Sequence, residues 1–202
     1  MFQLISKFLF ILILLSGAAS ANELMNPDGI QDEFIGHADA KATLVVYSSP
    51  TCSHCIHFED EILPELKSRY IDNGQLRVAI RPIVLNNIDT IIYLVALANG
   101  PENREKILEK FRSHYKEMID SKDLESTLRS IAASEGINEQ QFNQALNNTD
   151  YIKGLEKLNK QATQKLGIKG TPTLFLNGTR IAYDGSIDSL SEKIENTVNK
   201  KP

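Results

Sequence analysis

Thr43-Leu44-Val45-Val46-Tyr47-Ser48 is a β-branched and apolar run bounded by turn residues, and it reads as a buried central strand. After Ser49-Pro50-Thr51 the period changes. Phe58, Ile62 and Leu66 recur every four residues, the core-facing stripe of a helix that starts near Cys52. Pro64 falls inside that stripe and predicts a kink. Asn73-Gly74 closes the segment, and Leu76 to Arg81 is a second strand. Strand, helix and strand make one parallel βαβ unit.

From about 86 to 165 the pattern is helical throughout. Ile91 to Ala98 is apolar all round, which predicts a buried helix and is far too short to span a membrane. Asn99-Gly100-Pro101 stops it. Stripes follow at Ile107, Phe111 and Tyr115; at Leu124, Leu128, Ile131 and Ala132; at Phe142, Ala145 and Leu146; and at Tyr151, Leu155, Leu158 and Ala162. The β signal returns at Thr173 to Leu176, with Asn177-Gly178 as a hairpin turn and Thr179 to Tyr183 as the return strand. Ile187, Leu190, Ile194 and Val198 mark a terminal amphipathic helix.

The ends change the picture. Lys7 precedes the apolar stretch Phe8 to Leu15, and Ala19-Ser20-Ala21 fits a small-residue cleavage site. Residues 1–21 therefore read as an export signal, with an uncleaved membrane anchor as the alternative. Asn22 to Ala42 is polar and turn-rich, an ordered lead-in at best, with Phe34 and Ile35 packing locally. The remainder, 22–202, suits a single domain with a helical insertion over about 86–165. Its short lead-in favours a monomer.

Composition narrows the function. Of the 202 residues, 22 are Lys or Arg and 26 are Asp or Glu, for a net charge of −4. Such a mildly acidic chain with scattered cations has no nucleic-acid-binding footprint. Its two cysteines are Cys52 and Cys55. An exported space permits disulfides, yet none exists beyond this one pair, which points to a pair in use.

Cys52-Ser53-His54-Cys55 opens a helix, so both sulfurs fall on one turn, close enough to bridge. The free N–H groups and positive dipole end there favour a thiolate on Cys52, and His54 can add charge or a hydrogen bond. Glu59, Asp60 and Glu61 read as a solvated face that offsets the helix dipole. Other readings compete. A structural disulfide would close so small a loop that it stabilises little. A metal site could draw on Cys52, His54, Cys55 and His57, but four ligands so close in sequence strain a tetrahedral cage. Haem attachment wants His directly after the second cysteine, where Ile56 stands.

The order of strand, Cys-x-x-Cys helix, strand, helices, Thr-Pro, hairpin and helix resembles the thioredoxin superfamily, carried by Cys52-Ser53-His54-Cys55 and Gly170-Thr171-Pro172-Thr173. The helices between the halves resemble the DsbA family of exported disulfide oxidoreductases. The resemblance implies an α/β thioredoxin-like fold with an inserted helical subdomain. It implies Cys52 as exposed nucleophile, Cys55 as buried partner, and a cis bond before Pro172 that sets Thr171 against the sulfurs. It also implies reduced exported proteins as substrates and a quinone-linked membrane partner of the DsbB type. The Cys52–Cys55 disulfide would be the only redox group, with no bound cofactor or metal, and the setting would be the periplasm. The chain departs from the pattern at Val46. Thioredoxins carry a buried acid there, so thioredoxin-like reduction is disfavoured, with relay through water or Glu59 left open. An oxidase role is expected; isomerase or reductase activity and metal delivery are the alternatives.

Overall fold

The computed structural model describes residues 24–199. The expected export signal lies outside the described residues. Among the described residues no helix is long and apolar enough to cross a membrane.

The run at Thr43–Ser48 forms β2 (Ala42–Ser48), and every residue of it is buried. With β1 (Phe34–Ile35), β3 (Leu76–Pro82), β4 (Thr173–Leu176) and β5 (Thr179–Ile181) it makes one sheet, ordered β1-β3-β2-β4-β5. β3 lies parallel to β2, with Leu44 opposite Val78 and Ser48 opposite Pro82. β4 lies antiparallel on the other side, with Val46 opposite Leu174. Because successive side chains of a strand point to opposite faces, β2 feeds two cores. Val45 and Tyr47 enter one with Ile92, Val95, Phe111 and Leu158. Leu44 and Val46 enter the other with Phe58, Leu66, Leu174 and Ile194.

Helix α1 runs without a break through Ser53–His57, Phe58–Ile62, Leu63–Leu66 and Lys67–Ile71, the second and fourth segments being π-helical. Pro64 has no N–H for the carbonyl four residues back. The helix accommodates it with a widened turn immediately before, in which the Leu63 N–H bonds the Phe58 carbonyl.

The helical stretch comprises α2 (Asn87–Ala98), α3 (Pro101–Ser113), α4 (Tyr115–Asp120), α5 (Leu124–Ser134), α6 (Glu139–Leu146) and α7 (Thr149–Lys160), the last continued by a π turn, Gln161–Lys165. Side chains of Asn86, Asp123, Asn138 and Asn148 each accept an N–H from the first turn of the helix that follows. Each such cap is worth roughly 1 kcal/mol. Ile92 to Leu97 of α2 are all buried, as an all-apolar helix requires. Gly100, at φ +81°, reverses the chain, and Pro101 starts α3 where a missing N–H costs nothing. The terminal helix, α8 (Ile187–Val198), packs Leu190 and Ile194 beside α1.

Two expectations need correction. The lead-in is more than locally packed: Phe34 and Ile35 form an antiparallel edge strand on β3, Phe34 opposite Ala79. The buried Arg81 also staples this segment, through Asp32 at 2.8 and 2.5 Å and the Leu24 carbonyl at 2.9 Å. The sequence hides this because Asp32 is one of several acids in a polar stretch, and nothing local marks it as the partner of an arginine 49 residues on. The return strand is shorter than expected and ends at Ile181. Tyr183 leaves the ladder and sets its ring edge-on to Phe58, centroids 5.6 Å apart.

Candidate active site

β2 ends at Ser48, and Ser49-Pro50-Thr51 turns the chain into α1. Cys52 caps that helix in an extended conformation, and its carbonyl takes the N–H of Cys55 and of Ile56, both at 2.9 Å. Cys52 is half-buried, Cys55 fully buried, and His54 between them exposed.

The Thr171–Pro172 bond is cis. Its carbonyl faces Cys52, whose thiol donates to Thr171 O at 3.5 Å across 119 residues of sequence. The structure thus brings Cys52, His54, Cys55, Thr171 and Pro172 to one place. His54, His57, Thr171, Pro172, Tyr183 and Gly185 line a cleft of about 250 Å³ between the cysteine helix and the cis-proline loop. His57 is held by Gly185 O at 3.2 Å and by Glu61 at 3.3 Å. The Glu61 hydrogen bond, then that to Gly185, lifts its pKa above the ordinary histidine value. Among the described residues no three His, Cys, Asp or Glu side chains are grouped to hold a metal ion.

Beneath the cleft the buried sulfur meets only weak donors. The Ser49 N–H points at Cys55 Sγ from 3.5 Å. Burial pushes the Cys55 thiol up to about 12, against the opposing pull of the Ser49 N–H and the Thr171 and Ser48 side chains. Asp89, fully buried in α2, fixes the turn that carries Ser49. It accepts the Ser49 hydroxyl at 2.9 Å, the Thr51 hydroxyl at 2.6 Å and the Leu85 N–H at 2.8 Å.

The acidic triplet after Phe58 does not share one solvated face. Asp60 and Glu61 are exposed, but Glu59 is only 7% exposed. Its carboxylate accepts the Ser48 hydroxyl and an Arg112 N–H at 2.8 Å. Arg112, itself buried, also reaches Asp60 at 3.1 Å and Glu105 at 2.8 Å. Burial pushes the Glu59 carboxyl up to about 7, with the Arg112 charge and the Ser48 hydroxyl working the other way. The sequence did hold a signal: Glu59 follows Cys55 by four, which puts both on one helix face. Ser48, Asp89 and Arg112 gave none: Ser48 reads only as the end of a strand, and Asp89 meets the cysteine turn and Arg112 meets Glu59 only through the tertiary fold.

A family model described as Thioredoxin matches residues 29–196. A Rickettsia bellii protein described as a candidate protein-disulfide oxidoreductase is 26% identical over 84% of this chain, and the chain spans 65% of its length. Disulfide bond formation protein D of Bacillus subtilis is 24% identical, with 83% of this chain and 77% of that protein covered. Among solved structures, Wolbachia pipientis alpha-DsbA1 superposes with a TM-score of 0.76 at 22% identity, over 88% of this chain and 96% of that one.

Proposed function

The chain belongs to the thioredoxin family, and from that premise we propose that it is a dithiol–disulfide oxidoreductase of the DsbA type that oxidises exported proteins. The observation that carries the reading is the pairing of a half-buried Cys52 at a helix start with a fully buried Cys55, under a cis Thr171–Pro172 loop.

In the oxidative direction a substrate thiolate attacks Cys52 of the Cys52–Cys55 disulfide. The S–S bond breaks, its electron pair goes to Cys55, and a mixed disulfide forms on Cys52. A second substrate thiolate then attacks the substrate sulfur of that mixed disulfide, and Cys52 leaves with the electrons. The alternative exit is attack by Cys55, which returns the substrate reduced. A thiol held near 12 is almost wholly protonated at neutral pH and therefore a slow nucleophile. That imbalance supports the oxidase direction over the reductase one. Peptide groups of the Thr171–Pro172 loop would hold an extended substrate segment by strand-like hydrogen bonds. A quinone-linked membrane protein would restore the disulfide, in the periplasm.

Substitution separates the roles. Cys55→Ala is expected to accumulate mixed disulfides with exported proteins, because Cys52 remains and the competing thiol is gone. Cys52→Ala is expected to accumulate none. Non-reducing gels of the two variants decide it, and adducts on both or on neither would refute the assignment.

A further inference from the structure

Tyr183, Asp184 and Gly185 follow the end of β5 and form one wall of the cleft that also takes in Thr171 and Pro172. Gly185, at φ +90°, turns the chain toward α8, where Ser186 caps the first turn. The wall is lightly built. Asp184 accepts the Ser186 N–H at 3.0 Å, just ahead in the chain. The Tyr183 ring packs on Phe58, but its hydroxyl has no hydrogen-bond partner among the described residues. Among those residues, one hydrogen bond ties the wall to α1, between His57 Nε2 and the Gly185 carbonyl at 3.2 Å.

Both partners of the His57 ring are acceptors only. Nε2 meets that carbonyl, and Nδ1 meets the Glu61 carboxylate at 3.3 Å. A neutral imidazole carries one N–H and satisfies one of them; the imidazolium carries two and satisfies both. We propose that His57, as the imidazolium, is a positioning residue of the exchange reaction: it clips the Gly185 wall to the cysteine helix and holds the cleft in the shape that receives the substrate segment. The proposal rests on the exchange reading above.

The placement suits this role. His57 lies two residues after Cys55, and its side chain is 40% exposed, so it exchanges protons directly with solvent. Its raised pKa has the same two contacts as its main causes, as expected when both favour the charged ring. The charged and titratable groups around it are Glu61, His54 and the two cysteines from its own helix, and Tyr183 and Asp184 from the wall; Thr171 and Pro172 bring none. When the ring loses a proton, the carboxylate is the stronger acceptor, so the remaining N–H stays with Glu61 and the Gly185 carbonyl is released. A released wall must be ordered afresh by each substrate, and that cost is subtracted from binding. The clip therefore holds below the pKa of the ring and fades above it.

Cys55→Ala, in which Cys52 keeps stable mixed disulfides, allows a direct test. An uncharged, capped pentapeptide with a central cysteine competes with mercaptoethanol for Cys52, and mass spectrometry reads the ratio of the two adducts at equilibrium. Both thiols stay largely protonated between about pH 5 and pH 8, so the exchange chemistry itself leaves that ratio flat. The ratio of peptide to mercaptoethanol adduct should fall about three- to fivefold through a single step as pH rises, the effect of one hydrogen bond. His57→Gln should abolish the step, and Glu61→Gln should move it to lower pH. NMR relaxation should show the Gly185 amide ordered below the step and mobile above it. A step that survives His57→Gln, a midpoint unmoved by Glu61→Gln, or a Gly185 equally ordered on both sides overturns the proposal and leaves the exchange reading intact. A Cys52 that forms neither adduct overturns the exchange reading and the proposal with it.

Discussion

Ser49 and Asp89 lie 40 residues apart and meet hydroxyl to carboxylate at 2.9 Å, at a position where Asp89 has no solvent exposure. That contact holds the turn from which Ser49 aims its N–H at the Cys55 sulfur. Asp89→Ala would strand three donors, from Ser49, Thr51 and Leu85. It should destabilise the fold by about 3 kcal/mol, since each buried orphan costs roughly 1–3 kcal/mol and partial relaxation offsets some of it. The urea midpoint is the measurement, and a loss below about 1 kcal/mol would show that the turn holds without the carboxylate.

The two cysteines should differ sharply in reactivity. A thiol raised from an ordinary value of 9.0 to about 12 loses on the order of a thousandfold in thiolate fraction at neutral pH, before burial adds any steric block. Iodoacetamide should therefore label Cys52 of the reduced native protein and spare Cys55 until the chain unfolds. Peptide mapping after a short pulse reads the ratio; comparable labelling at both positions would contradict the buried placement.

Thr171→Val keeps the carbonyl that faces Cys52 and removes the hydroxyl whose pull lowers the Cys55 thiol. That pull acts on the free thiol, so its loss should favour the disulfide. One hydrogen bond of about 1 kcal/mol corresponds to about fivefold in the equilibrium with a glutathione buffer. The melting temperature should scarcely change. An unmoved equilibrium would mean that the loop touches the sulfurs without tuning them.

Glu59 should make stability depend on pH. Its folded pKa, about 7, lies above the ordinary 4.5. A raised value means that the folded state holds the proton more tightly than the unfolded one. The contribution is then complete below about pH 4.5 and is lost as pH rises through 7. The loss is on the order of 3 kcal/mol. The wild type should therefore weaken relative to Glu59→Gln between pH 4.5 and 7.5. Denaturation of both across that range checks it, and parallel curves would place the carboxyl's ionisation elsewhere.

Much of this was legible in the chain. β2 and β4 declare themselves because a strand buried on both faces is a nearly unbroken apolar run, β3 through Leu76, Val78, Ala79 and Ile80 between its arginines, and the hairpin because Asn177-Gly178 supplies two residues at positive φ, +46° and +81°, for the tight turn. The helices declare themselves through their apolar stripes. Cys52 and Cys55 stand out as the chain's two cysteines. What stayed hidden is polar and distant. β1 is two residues long, below the length at which alternation can be seen. Glu59 sits among acids that do face water, and only its spacing from Cys55 marks it. Asp89 reaches the cysteine turn from α2 and Arg112 reaches Glu59 from α3, and local periodicity carries no information about which helix face will meet which element.

Arg112 also bears on how freely such a chain can be recombined. The helical stretch looks detachable: it leaves after β3 and rejoins before β4, and the Val84 N–H bonds Asn159 Oδ1 at 3.1 Å, so its two ends already lie side by side. A graft that replaced this stretch with the helices of a relative would join the sheet at that seam. It would, however, carry away the cation opposite Glu59 and leave a buried carboxylate facing whatever the donor helices bring. The helical stretch and the cysteine helix are therefore bound to change as a pair, and a transplant succeeds only where the incoming α3 returns an arginine to the same depth or the recipient gives up its glutamate.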